Sequence, residues 1–134
     1  MTFLRPVAIV IGLSQIVLAA LSLAVPAGFV TWQGLTPPAA DAGYPLAMLA
    51  ARFLVYGIGM FHIARGPEGN LFWARGMVAI QAIDFAAGAT FLAMGVITPA
   101  TALLPMINSA IFALALSLAL RHAGLSGPAQ AQTQ

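Results

Sequence analysis

Four segments of this chain are each long and apolar enough to cross a bilayer, and this pattern constrains the fold more than any other feature. A helix rising 1.5 Å per residue needs about 20 mostly apolar residues to traverse a hydrocarbon core of about 30 Å. The segments fall at residues 6–26, 45–64, 71–97 and 100–121. Pro6 suits the first turn of a helix, and Pro26 lies where the first segment closes. The third segment is long enough to tilt. The fold expected is all-α: a four-transmembrane-helix antiparallel bundle, one domain over residues 1–122, followed by a small, polar tail at 123–134 that reads as disordered and cytoplasmic. Connections are short except for residues 29–44, FVTWQGLTPPAADAGY, whose prolines and glycines read as irregular structure. The first segment could also be read as a secretory signal, with Arg5 before it and Ser22 and Ala24 near its end. Its apolar run exceeds a usual signal core, which favours a retained span.

Composition agrees with a membrane setting. Hydrophobic residues make up 61% of the chain and charged residues 6%, against about a quarter charged in soluble domains; mean hydropathy is +0.98. The net charge of +2 arises from five arginines against three acids, and the arginines are scattered singly. No basic run or basic face is present to serve nucleic acid. There is no cysteine, so disulfides, thiolate metal sites and thiol nucleophiles are excluded.

The arginines also suggest an orientation. Arg5 precedes the first segment, Arg65 and Arg75 flank the turn RGPEGN, and Arg121 closes the fourth. All four would lie on one side, which the excess of positive charge in cytoplasmic loops assigns to the cytoplasm, with both termini inside. Trp32 and Tyr44 would then mark the outer interface and Trp73 the inner one, as interfacial aromatic belts do. Arg75, opposite Asp84 around its helix, would snorkel to the head groups.

Two charges remain within the spans. Counting from Pro45, Arg52 lies about 10 Å below the outer boundary; counting from Leu71, Asp84 lies about 20 Å from the inner one, which leaves about the same 10 Å. A charge at the helix centre costs about 2.5 to 3.5 kcal/mol on insertion scales, and pairing lowers that cost. Arg52 and Asp84 are therefore expected to face each other. Asn108, about 12 Å below the same surface, could join them. Tyr56 and Gly59 share the face of Arg52; Met77, Gln81, Gly88 and Gly95 share that of Asp84; Thr101 lies with Asn108. On the first segment Gly12, Gln15, Ala19, Ser22 and Pro26 form a small and polar stripe. Such stripes are what membrane helix contacts use, since small residues let backbones approach and polar ones hydrogen-bond across. The candidate polar layer is thus Arg52, Asp84, Asn108, Tyr56, Gln81 and Gln15. It serves either as a structural clamp or as a site for a head group, a quinone carbonyl, an anion or a proton.

His62, near the cytoplasmic end of its segment, is a secondary candidate, although an interfacial histidine bonded to a backbone carbonyl is the favoured reading of it. No histidine or carboxylate stands three or four residues away to support a metal, and no catalytic constellation occurs: no serine, histidine and acid at one depth, no second carboxylate beside Asp84, no phosphate loop. His122 follows Arg121 at a helix end, where a cation suits the dipole.

An arginine early in the second segment within ARFLVYGIGM, an arginine and glycine opening the third in WARGM, and an aspartate further along it in QAIDFAAG together resemble small bacterial membrane proteins of the DoxX-like kind. The resemblance spans about residues 7–120 and marks Arg52, Arg75 and Asp84. It implies a four-helix protein of the bacterial inner membrane; some such proteins belong to quinone-linked sulfur oxidation systems, and many are domains of unknown function. The lack of cysteine gives no support to a thiol role. Two readings follow. One is a non-enzymatic accessory or assembly subunit, or a lipid- or quinone-binding protein, which meets membrane lipids and forms a homo-oligomer or a larger membrane complex. The other is a small transporter or quinone-linked redox enzyme using the polar layer.

Overall fold

The computed structural model describes residues 3–125, and every regular element among them is helical. Helix α1 runs Leu4–Ala24, α2 Pro26–Trp32, α3 Gly43–Arg65, α4 Leu71–Ala93 and α5 Pro99–His122. Short 3-10 turns at Ala40–Ala42 and Glu68–Asn70 lead into α3 and α4. By length and composition four helices, all except α2, can cross a membrane. Most of the expected tail, residues 126–134, lies outside the described residues.

The helix starts fall within two residues of the sequence expectation, and two of the helix ends differ from it for reasons visible in the backbone. The first helix stops at Ala24 instead of reaching residue 26, because Val25 leaves helical geometry at φ −140° and ψ 57°. Pro26, which has no N–H to donate and a φ already set for a helix, then starts α2. The segment expected to be irregular at 29–44 is therefore helical at its start, where Phe29 is buried, and again at its end. The third span was expected to run to residue 97 and ends at Ala93. Gly95 takes a left-handed φ of 70°. Its N–H donates to the Leu92 carbonyl and the Val96 N–H donates to that of Phe91, each at 3.0 Å, which closes the helix in a Schellman motif. Gly95 thus lies beyond α4 and is not part of the Asp84 face. At the start of α5, the Thr98 hydroxyl accepts from the Thr101 N–H at 3.3 Å and caps it.

The most extensive contacts join α1 with α3 and α4 with α5, and slighter seams join α3 with α4 and α1 with α5. Glycines mark the close approaches. A Cβ on Gly12 would stand 3.1 Å from the Gly57 carbonyl oxygen, and one on Gly57 would stand 3.1 Å from that of Gly12. The two backbones approach there as small-residue crossings allow. Between α3 and α4 the fit is reciprocal. Trp73 of α4 covers Gly59, Tyr56 of α3 covers Gly76, and the two rings meet edge to face at 5.5 Å.

The large apolar side chains gather at one end. Leu4, Ala8 and Ile11 of α1, Met60 and Ile63 of α3, Ala74 and Met77 of α4, and Leu116, Ala119 and Leu120 of α5 form a single buried cluster. It unites the first half of α1 and α4 with the last half of α3 and α5, and Arg5, Arg65, Arg75 and Arg121 are exposed around that end. Toward the other end the buried residues of the four long helices become small or polar, Ala19 and Ser22, Ala50, Ala102 and Ser109, with Phe29 of α2 the large side chain buried there.

Candidate functional site

Residues at 3.6 per turn bring Arg52 of α3 and Asp84 of α4 to the seam between those helices, beyond the Tyr56–Trp73 contact as seen from the apolar cluster. The Arg52 Nη2 donates to the Asp84 Oδ1 at 3.3 Å, an ion pair between the two helices. This is one contact rather than the two-pronged arrangement that gives arginine–carboxylate pairs their strength. The side chains are 39% and 38% exposed. The Arg52 Nε is nevertheless buried and has no hydrogen-bond partner among the described residues. The guanidinium carbon stands 5.5 Å from the centroid of the adjacent Phe53 ring, where a cation is attracted to the ring face. The pair is thus formed and remains unsaturated.

The other members of the expected layer are distributed differently. Gln81 is buried one turn below Asp84, and its Nε2 donates only to the Met77 Sδ at 3.5 Å, a weak acceptor. Gln15 is buried on α1, within a stripe of Gly12, Gln15, Ala19 and Ser22 that faces inward as expected; Pro26 belongs to α2. The Ser22 hydroxyl is buried without a partner among the described residues. Tyr56 packs between Trp73 and Gly76 and is held by ring contacts, not by the charged pair.

Asn108 does not join the pair. It is exposed, because the inward row of α5 runs Ala102, Ser109, Leu116, and a residue one place earlier is rotated about 100° away. Thr101 is likewise engaged elsewhere: its hydroxyl is 3.0 Å from that of Thr98 and donates to the Gly34 carbonyl at 3.5 Å, tying the end of α2 to the start of α5. The inward polar residue of α5 is Ser109, which the sequence reading missed. The rows Ala102, Ser109, Leu116 and Thr101, Asn108, Ala115 share one spacing, so no sequence signal separates them.

His62 is exposed near the arginine-rich end. It lines an open cleft of about 350 Å³ with Val55, Ile58, Gly59, Asn70 and Trp73. The Asn70 Nδ2 donates to the Gly66 carbonyl at 2.7 Å, which leaves its amide oxygen as the acceptor of that cleft. Among the described residues no three histidines, cysteines or carboxylates cluster as metal ligands.

Chemically, the Arg52–Asp84 seam offers a cation with an unmet donor beside an anion with spare acceptor capacity. Such a pair suits a neutral or zwitterionic polar group better than a lone ion, because its own charges nearly cancel. Compared with known protein families, with curated proteins and with solved structures, the chain matches none.

Proposed function

We propose that this chain is a non-enzymatic integral protein of the bacterial inner membrane, an antiparallel four-helix bundle with both termini cytoplasmic, that holds the polar head of a lipid or quinone at Arg52 and Asp84. The observation that carries the reading is the unsaturated pair: one 3.3 Å contact, both side chains more than a third exposed, and a buried Nε without an acceptor. Polar groups at membrane depth are rarely left in that state, since each unmet group costs several kcal/mol in hydrocarbon. A carbonyl or phosphoryl oxygen entering from the lipid would meet the exposed part of the guanidinium, a turn of the Arg52 side chain would bring the Nε to it, and its tail would lie along the exposed α3 and α4 surfaces.

Support for the orientation comes from the arginines grouped around the apolar cluster, which the positive-inside rule assigns to the cytoplasm. Arg52 and Asp84 then lie toward the periplasmic side. Among the described residues the connections between the spans are short, which favours an accessory or assembly role, and the resemblance to DoxX-like proteins, carried by Arg52, Arg75 and Asp84, favours a quinone-linked setting.

Native mass spectrometry after mild detergent extraction tests the binding claim. The expected result is a co-purifying amphiphile on the unaltered chain and its loss from an Arg52→Gln variant that keeps its helical circular dichroism. A lipid-free chain in every preparation would overturn the reading. Asp84→Asn then separates binding from clamping: loss of the ligand with the fold intact supports a site, whereas loss of the assembled protein supports a structural pair.

A further inference from the structure

We infer that the outward face of α5 pairs with the same face of a second copy, with the two Asn108 side chains hydrogen-bonded to each other across a two-fold axis. Asn108 is nine residues into α5, about 13 Å from its start and about 21 Å from its end, and so lies deep in the apolar span. It is exposed, and its side chain makes no hydrogen bond with any described residue. Leu104, Asn108, Ile111, Ala115 and Leu118 follow one another at spacings of four and three, and the leucines and isoleucine of that row are exposed. That repeat forms the seam along which two helices coil around each other.

The apolar seam alone does not choose a partner, because lipid tails cover leucine and isoleucine as well as protein does. The amide decides. Hydrocarbon offers it no partner, and an uncompensated amide is costly there. A carboxamide carries both a donor and an acceptor, so it complements another copy of itself. A two-fold axis beside Asn108 brings the amide nitrogen of each copy to the amide oxygen of the other, the self-complementary arrangement that symmetric dimers require. The seam lies on the side of α5 away from its inward row of Ala102, Ser109 and Leu116, so pairing leaves Arg52 and Asp84 undisturbed.

Because the chain has no cysteine, single cysteines report the interface cleanly. A disulfide forms only when the two Cα atoms come within about 7 Å. Ile111→Cys is expected to oxidise to a dimer in native membranes, and Val17→Cys, exposed on α1, is not. Adding Asn108→Leu to Ile111→Cys should weaken association about tenfold, the effect of losing one good interhelical amide bond, and Asn108→Gln should restore it. Leucine suits a lipid-facing position, and unchanged helical circular dichroism confirms that the fold survives. The proposal is overturned by cross-linking at Val17 as strong as at Ile111, by adducts with a different protein, or by a dimer indifferent to Asn108→Leu.

Discussion

The two ends of the bundle are held by different physics. At the arginine-rich end, ten side chains that include Leu4, Ile11, Met60, Ile63, Met77, Leu116 and Leu120 interlock in one buried cluster. At the other end the inward residues of the long helices are small or polar, α4 shows most of its surface, and an ion pair joins Arg52 and Asp84 across a slight α3–α4 seam. In a membrane the first kind of contact gains from close packing alone, since there is no water to expel. The second depends on finding partners for polar atoms that lipid cannot satisfy. Close packing therefore belongs to the arginine-rich end, and unmet polar capacity belongs to the other.

This contrast can be broken by substitution. Leu116→Ala, at a fully buried position, should cost most, about 2–5 kcal/mol of unfolding free energy in detergent, through the cavity it opens among the four helices. Gly59→Ala should follow at about 1–3 kcal/mol, because its Cβ would stand 2.5 Å from the Trp73 ring carbons and force α3 and α4 apart. A thermal or denaturant titration of both variants checks the order; a smaller loss for Leu116→Ala than for Gly59→Ala would mean that the apolar cluster is not the main anchor. Ser22→Ala should shift stability by no more than about 0.5 kcal/mol, or raise it, since it removes a buried hydroxyl without a partner. A large loss on the same titration would reveal a bound group bonded to that hydroxyl.

Much of the architecture was legible because length and depth can be counted. Rise per residue placed the spans, set Arg52 level with Asp84, and left each charge with one plausible answer. On α1 the alternation of Gly12, Gln15, Ala19 and Ser22 with bulky apolar residues also disclosed which face turns inward. On α5 no such contrast exists. Leucine and isoleucine suit both lipid and core, so the hydrophobic pattern carries no rotational phase, and Asn108 was assigned to the inside when Ser109 occupies it. Pro26 marked the end of α1 in the sequence, but the short helix α2 that it starts and the closure of α4 at Gly95 were missed: apolar sequence continues past both, and only local backbone geometry sets them.

The central claim is that the guanidinium and the carboxylate answer each other within the span, and a charge-exchange cycle tests it most directly. Arg52→Asp and Asp84→Arg should each lower the yield of folded protein in membranes by leaving two like charges at one depth. The double exchange should recover most of that yield, with a coupling of about 1 kcal/mol or more. Losses that simply add would contradict the account.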